Sequence, residues 1–145
     1  MQVCVLCRGV AGDEELDRVL VWQDDQWRLT TSRRASVVGF SYLEPKRHIP
    51  YLADLDGNEA STFGPTLARA ARLLRDVTGA EFVWALVFGE HVPHLHVNLA
   101  PRRRGDALLE DPVLVDSTLP TPSRADHEAI IERLRLAASS APGAG

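Results

Sequence analysis

The sequence predicts an α+β fold in which an antiparallel sheet of about five strands packs against a long helix, with another helix near the C-terminus. Three observations predict this fold. Three short strand-like runs joined by brief polar links occupy residues 19–43. Apolar residues then recur at every third or fourth position over residues 58–77, as in a helix. Two further strand-like runs follow between residues 81 and 99.

The first three strands are predicted from short apolar runs bounded by turn-forming residues. They span residues 19–24, 27–31 and 37–43. Asp24 and Asp25 form the turn between the first two runs, so these strands make a hairpin. Pro45 ends the third strand, because proline has no amide hydrogen to donate to the sheet. The charged stretch 12–17 that precedes the strands is predicted to be a loop.

A long helix with one apolar face is predicted between the third and fourth strands. The residues on that face are Phe63, Leu67, Ala70, Ala71, Leu74 and Val77. Pro65 leaves two alternatives: the helix begins near residues 61–64, where a proline is tolerated, or it begins earlier and is kinked. Gly79 ends the helix. The run 81–88 that follows is almost continuously apolar, which favours a central strand covered on both faces.

The C-terminal quarter contains one predicted helix. Residues 108–122 include three prolines and show no periodicity, so they are predicted to be a loop. Ser123 caps a helix over residues 124–138, and Asp126 supports its first turn. His127 on this helix is expected at the surface. The predicted organisation is a single domain over residues 1–138, with residues 105–138 as its C-terminal extension and residues 139–145 as a disordered tail.

Composition narrows the possible partners. The chain has 145 residues, 45% of them hydrophobic, which suits one domain with its own core. Its net charge of −4 argues against binding to nucleic-acid polymers. No run approaches a membrane span and the N-terminus lacks the pattern of a signal peptide, so a cytoplasmic protein without membrane contact is expected. The three arginines at 102–104 suit either phosphate binding or a solvated loop.

Polar and apolar residues alternate in the last predicted strand. Residues 94–99 have the period of a half-buried strand, so His94, His96 and Asn98 share one face. Neighbours on such a face are about 7 Å apart, close enough for one histidine to hold a metal while the next acts on a bound group. The alternative is the solvated polar face of an edge strand.

Cys4 and Cys7 are the two cysteines of the chain and are separated by two residues. A thioredoxin-like redox motif is disfavoured because no strand precedes the pair. Two thiolates from one turn supply half of a tetrahedral zinc site, and His48 and a histidine of residues 94–99 are the candidates to complete it. The alternative is a pair of free or packed thiols.

Together these features resemble the histidine triad (HIT) superfamily. The family signature alternates histidines with apolar residues, and residues 94–100 match it as His-Leu-His-Val-Asn-Leu-Ala. The resemblance extends to the cysteine pair, to the segment 44–48 (Glu-Pro-Lys-Arg-His) and to the long helix, and it covers residues 3–104. It implies a HIT-like fold and a homodimer formed through the long helix and a central strand.

The resemblance also implies an activity and a set of site residues. In HIT hydrolases and transferases the middle histidine attacks phosphorus, which implies a HIT-type phosphohydrolase or nucleotidyltransferase with a covalent intermediate on His96. The implied substrate is small and phosphorylated: a nucleotide-like molecule, a phosphoramidate or a phosphate ester. The implied catalytic residues are His96, Asn98 and His94. In the zinc-binding branch of the family, a structural Zn²⁺ would be held by Cys4, Cys7, His48 and His94.

The sequence departs from the family pattern at positions that bear on the substrate and its binding. Asn98 stands where the third histidine is expected, and Ser32 stands where the family has a ribose-binding aspartate. The segment 88–91 replaces the family's usual phosphate-binding residues. The expected substrate-binding residues are Gly89, Glu90, His91, Ser32 and Arg102. Two alternatives stay open: a catalytically degenerate HIT-fold binding or regulatory protein, and a HIT scaffold recruited to other chemistry.

Overall fold

The computed structural model describes residues 4–106 and 122–140. The strands are β1 (Arg18–Gln23), β2 (Trp27–Ser32), β3 (Ser41–Pro45), β4 (Phe82–Leu86) and β5 (Val97–Arg102). The helices are α1 (Val10–Glu15), α2 (Gly57–Thr78) and α3 (Arg124–Ser140), with short 3-10 turns at Val5–Arg8 and Leu52–Asp54. The strands form one antiparallel sheet in the order β1-β2-β3-β5-β4. The predicted α+β fold is therefore confirmed.

The turn between β1 and β2 is organised by Asp24. Its carboxylate accepts hydrogen bonds from the backbone amides of Gln26 at 2.8 Å and Trp27 at 2.7 Å. This local bonding is the reason that aspartate favours turns. The predicted hairpin is confirmed, with a bulge in β1 where the register shifts between Leu20 and Trp22.

Helix α2 covers one face of the sheet. The main core consists of Val21, Trp27, Leu29, Leu43, Ala70, Leu74, Val77, Val97, Leu99 and Leu134. The Trp27 indole donates a hydrogen bond to the Thr62 hydroxyl at 2.8 Å, which ties β2 to α2. Because α2 begins at Gly57, Pro65 lies inside it, and the alternative of a start near residues 61–64 is wrong. Gly79 ends α2 with a left-handed φ of 72°, as predicted.

The third strand begins later than its predicted start at residue 37, because β3 starts at Ser41. The chain leaves β2 in a turn in which the Ser32 hydroxyl accepts hydrogen bonds from the amides of Arg34 and Ala35 at 3.1 and 3.0 Å. The following residues form a small second core of Ala35, Phe40 and Ala100. Since Ala100 alternates with the α2-facing Leu99, this core lies on the other face of the sheet.

Within the apolar run 81–88, Phe82–Leu86 form the edge strand β4, so the prediction of a central strand is wrong. β5 lies between β3 and β4, which leaves one side of β4 unpaired within the sheet. Phe82 in β4 is 39% exposed. The apolar run itself does not show that the next strand, β5, will lie between β3 and β4 and leave β4 at the edge.

The stretch 12–17, predicted as a loop, is helical in its first part, because α1 spans Val10–Glu15. The buried residues of α1 are Gly12 and Asp13. A Cβ atom at Gly12 would overlap the carbonyl oxygen of Val5. Glycine therefore lets α1 pack directly on the turn that carries the cysteines.

The predicted cap of the C-terminal helix is confirmed. The amide of Asp126 donates to the Ser123 hydroxyl at 3.0 Å, and the amide of Ser123 donates to the Asp126 carboxylate at 3.2 Å. Helix α3 runs to Ser140, so the predicted tail is wrong at residues 139 and 140. The rest of that tail and residues 108–121 of the predicted loop lie outside the described residues. Among the described helices, none is long and apolar enough to cross a membrane.

His127 is buried in the contact of α3 with the rest of the domain, and not at the surface as predicted. It is 1% exposed, and neither ring nitrogen has a hydrogen-bond partner among the described residues. Burial lowers the pKa of His127 from its ordinary 6.5, and the nearby Ala35 carbonyl offsets only part of this shift. Docking of α3 therefore encloses a neutral imidazole.

Candidate functional site

Two thiols and two imidazoles converge beside the end of the sheet. Cys4 and Cys7 come from the N-terminal 3-10 turn, His48 from the loop after β3, and His94 from the segment before β5. One possible ligand atom from each residue lies within 4.8 Å of all the others. The topology therefore brings together three stretches of chain that are far apart in sequence.

Three sulfur–nitrogen distances within this cluster are close to those of a tetrahedral zinc site. The Sγ atom of Cys7 lies 3.3 Å from Nδ1 of His48 and 3.4 Å from Nδ1 of His94, and the Cys4 Sγ lies 3.5 Å from the latter. Zinc ligated at its usual bond lengths places sulfur and nitrogen about 3.5 Å apart. The donor types and their separations are compatible with Zn²⁺.

The His94 ring is fixed in the orientation that metal binding needs. Its Nε2 donates a hydrogen bond to the backbone carbonyl of Pro45 at 2.8 Å, so Nδ1 presents its lone pair to both cysteines. Burial lowers the pKa of His94 below its ordinary 6.5. His94 is fully buried, and its ring is therefore neutral, which is the form that binds metals.

The opposite side of the cluster is open to solvent. Both Cys7 and His48 are exposed. In the absence of a metal, partial burial, the Cys4 thiol and the Glu44 carboxylate together raise the pKa of Cys7 to about 11. A zinc ion would replace the thiol proton and supply the positive charge that a thiolate needs.

His96 presents the other chemically competent nitrogen. Its Nδ1 donates a hydrogen bond to the backbone carbonyl of His94 at 2.7 Å, which leaves the lone pair on Nε2. The ring is half-buried. A neutral imidazole held in this tautomer is a suitable nucleophile.

The segment around the histidines departs from the predicted strand. β5 begins at Val97, so His94 and His96 lie just before it and the strand predicted over 94–99 is wrong in its first half. The reason is that the Leu95 amide donates to the Ile49 carbonyl at 2.7 Å, outside the sheet. The alternation of polar and apolar residues still shows in how exposed the side chains are: Leu95 is buried, whereas His96 is half-buried.

Asn98 occupies a structural position in the sheet. It is 2% exposed, and its side-chain amide donates a hydrogen bond to the Leu86 carbonyl at 3.2 Å. Leu86 is also its partner residue in the pairing of β4 with β5. The amide therefore reinforces the attachment of the edge strand.

The loop before the histidines lies partly on the metal side. His91 is exposed and lines a cleft of about 360 Å³ together with Cys4, Arg8 and His48. Glu90 is also exposed. Gly89 has a φ of 81° and faces Tyr51, so glycine is required by the backbone conformation there. Of these three residues, His91 is the one that lies beside the candidate metal ligands.

Ser32 and Arg102 lie elsewhere on the sheet. The buried Ser32 hydroxyl accepts the two amides of the turn after β2. Arg102 is 5% exposed and places its guanidinium 4.7 Å from the centre of the Trp84 ring. It is six residues beyond His96, which corresponds to about 20 Å along a strand.

Sequence reasoning missed a buried cluster of four charges beside the candidate metal ligands. The cluster, called the charge quartet below, consists of Asp13, Arg18, Arg28 and Glu44. A signal was available, because Arg18, Arg28 and Glu44 are the charged residues of β1, β2 and β3, whose other residues are uncharged. Their common burial depends on contacts between elements that the sequence does not show.

Comparisons with known proteins support the fold. No family model matches the sequence, and no curated protein matches it. A Zn-bound histidine triad family protein from Mycobacterium smegmatis matches with 24% identity and a TM-score of 0.70, over 94% of this chain and 93% of its own. A hypothetical histidine triad nucleotide-binding protein from Sulfolobus tokodaii matches with 17% identity and a TM-score of 0.72, over 94% and 92%.

A histidine triad (HIT) protein from Sinorhizobium meliloti is 25% identical, with a TM-score of 0.62 over 84% of this chain and 92% of its own. These similarities span nearly the whole of each neighbour. At this level of identity they concern the arrangement of strands and helices. The chain therefore has the fold of the histidine triad proteins.

Proposed function

We propose that the chain is a HIT-type phosphohydrolase or nucleotidyltransferase that acts through a covalent intermediate on His96. The observation that best supports this is the orientation of the His96 ring. Its Nδ1–H is bound by the His94 carbonyl at 2.7 Å and its Nε2 is available on a half-buried side chain. The fold shared with histidine triad proteins supports the same proposal.

The proposed reaction has two steps. In the first, Nε2 of His96 attacks the phosphorus atom of the substrate, an N–P bond forms, and the bond from phosphorus to the leaving group breaks. The ring becomes cationic, and the His94 carbonyl stabilises it through the Nδ1–H bond. In the second step, water or another acceptor attacks phosphorus and the N–P bond breaks, which restores neutral His96.

The proposed substrate is small and phosphorylated, such as a nucleotide, a phosphoramidate or a phosphate ester. Backbone amides near Gly89 and the ring of His91 are proposed to meet its phosphate, with Glu90 alongside. Ser32 and Arg102 lie about a strand length from His96. They would contact only a substrate that extends from His96 across the sheet. Their role in binding stays a prediction.

Zinc is proposed as a structural ion held by Cys4, Cys7, His48 and His94. All four ligands come from the protein, so the ion would brace the site and leave water activation to other groups. Its effect on the reaction would be indirect. Holding the His94 ring also holds the His94 carbonyl, which orients His96.

Intact-mass spectrometry tests the covalent step. The protein is mixed with adenosine phosphoramidate, a dinucleotide and a nucleotide sugar in turn, and quenched quickly. At least one substrate is expected to add a nucleotidyl mass to the wild type but not to His96→Ala. A complete panel without an adduct, or an adduct that survives in His96→Ala, would contradict the proposal.

A second candidate is a binding or regulatory protein that has lost turnover. It is favoured by the engagement of Asn98 with the Leu86 carbonyl and of the Ser32 hydroxyl with two backbone amides. Calorimetry with nucleoside monophosphates distinguishes the candidates. Tight binding together with no adduct and no product would support the second.

A homodimer is also proposed, on the resemblance to histidine triad proteins, and the cytoplasmic location expected from the sequence stays a prediction. Because β4 is an edge strand, a dimer through α2 would involve this edge in place of the central strand first expected. Phe82, Val87 and Phe88 expose apolar surface there. Light scattering coupled to size-exclusion chromatography measures the oligomeric state directly, and a single monomeric mass would contradict the dimer.

A further inference from the structure

The charge quartet is fully enclosed in the fold. Each arginine contacts both carboxylates: Arg18 lies 2.9 Å from Asp13 and 2.6 Å from Glu44, and Arg28 lies 2.5 and 3.2 Å from the same two residues. All four side chains are at most 8% exposed. Two positive and two negative charges balance, and Arg18 bridges the two acids with separate guanidinium nitrogens.

The quartet joins the two halves of the candidate metal site. Asp13 belongs to α1, which directly follows the turn that carries Cys4 and Cys7. Glu44 belongs to β3, one residue before Pro45, whose carbonyl accepts the hydrogen bond from Nε2 of His94. Arg18 therefore links the helix on the cysteine side to the strand on the histidine side.

Apolar packing contributes little to the docking of α1. Its buried residues are Gly12 and Asp13, while Val10 is 66% exposed. In the preceding 3-10 turn, Leu6 is the buried residue. Asp13 supplies the charged contacts by which α1 is held, because it is the buried side chain of that helix with ion-pair partners.

A buried charge cluster of this kind is better suited to fixing geometry than to adding stability. Removing charges from water costs about as much free energy as their attraction returns, so apolar replacements are often equally stable. Bidentate arginine contacts, in contrast, impose a defined distance and angle. Here they define where the cysteine turn lies relative to the His94 ring.

We propose that the charge quartet positions the cysteine half of the metal site against the histidine half before any metal binds. This inference rests on the proposed zinc site. The four residues are positioning residues, and none of them is a ligand. Loss of one charge is expected to weaken zinc binding by about 10- to 100-fold, the usual range for groups that orient metal ligands.

Chelator competition measures this effect. Wild type, Asp13→Asn and Glu15→Gln compete with a chromophoric zinc chelator under conditions in which circular dichroism shows each protein folded. Glu15 is the matched control, because it lies on the same helix and pairs with Arg8 at the exposed surface. Asp13→Asn is expected to raise the zinc Kd at least tenfold, and Glu15→Gln is expected to leave it within twofold.

A second variant covers the case in which Asp13→Asn fails to fold. Arg18→Lys keeps the cluster neutral but replaces the fork with a single ammonium, which cannot bind both carboxylates in the same way. It is expected to weaken zinc binding about tenfold while urea unfolding of the metal-free protein changes little. Hydrogen exchange of the α1 amides should rise in both variants, with the β2 and β3 amides still protected.

The outcomes separate the two proposals. If the wild type binds zinc and the folded quartet variants bind it equally well, the positioning role is wrong and the metal site stands. If the variants only lower the urea midpoint with an unchanged zinc Kd, the quartet is purely structural and the inference fails. If the wild type itself does not bind zinc, both the metal site and this inference are overturned, whereas the adduct test on His96 is unaffected.

Discussion

The backbone carbonyl of His94 accepts a hydrogen bond from Nδ1 of His96 at 2.7 Å, while the ring of His94 lies against Cys4 and Cys7. One residue therefore faces the candidate cysteine ligands with its side chain and the candidate nucleophile with its main chain. Displacement of the His94 ring would move the carbonyl that selects the His96 tautomer. The candidate metal cluster and the candidate nucleophile are therefore connected through this one residue.

Removal of the proposed zinc ion is expected to destabilise the protein. A ligand that binds only the native state adds stability as its concentration rises above Kd, by about 4 kcal/mol at a thousandfold excess over Kd. Urea unfolding of chelator-treated and zinc-loaded protein measures the difference. Cys7→Ser removes one ligand and should unfold at nearly the same urea concentration with and without zinc. Equal midpoints for the two forms of the wild type would contradict the prediction.

Acid is expected to loosen the docking of α3 through His127. Because burial lowers its native pKa below 6.5, the unfolded chain takes up the proton first as the pH falls. This contribution to stability is complete above pH 6.5 and is lost as the pH falls through the lower native pKa. The charged neighbours of this ring are Asp126 and Arg124 on its own helix and Asp17 before β1.

Urea midpoints at about pH 7.5 and about pH 5.5 test the role of His127. His127→Leu keeps an apolar side chain in the buried position and should show a smaller loss of stability between the two pH values than the wild type. The pKa of His94 is shifted in the same direction, so the difference between wild type and variant isolates His127. Identical pH dependence in the two proteins would exclude this role.

Leu74 anchors α2 in the main core. It is fully buried, so Leu74→Ala should lower the free energy of unfolding by about 2–5 kcal/mol through lost transfer energy and a residual cavity. Leu136 on α3 is 62% exposed and provides the control. Leu136→Ala is expected to change stability by at most about 0.5 kcal/mol in the same urea titration. Similar losses in both variants would show that the core is not where the structure places it.

Asn98 should matter for the attachment of β4. Asn98→Asp replaces a buried donor with a carboxylate that faces the Leu86 carbonyl, at an expected cost of about 1–3 kcal/mol. Asn58→Asp makes the same chemical change at an exposed position near the start of α2 and serves as the control. Hydrogen exchange of the β4 backbone amides should be faster than in the wild type in Asn98→Asp but not in Asn58→Asp. Unchanged exchange would mean that the amide contributes little to the edge.

Local signals in the sequence predicted much of this molecule. Asp24 bonds to the two amides that follow it, Ser123 and Asp126 cap the same helix turn, and Gly79 takes the left-handed conformation, all of which depend on neighbouring residues. The cysteine and histidine cluster was also predictable, because few residue types bind zinc.

Non-local contacts account for the errors. The edge position of β4 depends on β5 inserting from further along the chain. The burial of His127 depends on how α3 docks on the sheet. The burial of Arg28 depends on its ion pairs with Asp13 and Glu44, which come from other elements. The contacting residues are far apart in sequence, so the spacing of apolar and polar residues within one segment does not predict these contacts.

The close approach of α1 to the cysteine turn has a practical consequence for interpreting sequence variants. Alanine is intrinsically favoured over glycine inside a helix by about 1 kcal/mol, so Gly12→Ala would ordinarily be expected to leave stability unchanged or to increase it. Here a methyl group at Gly12 would collide with the Val5 carbonyl and displace the turn that carries Cys4 and Cys7, two of the four proposed zinc ligands. Loss of metal would then originate at a residue that has no functional group.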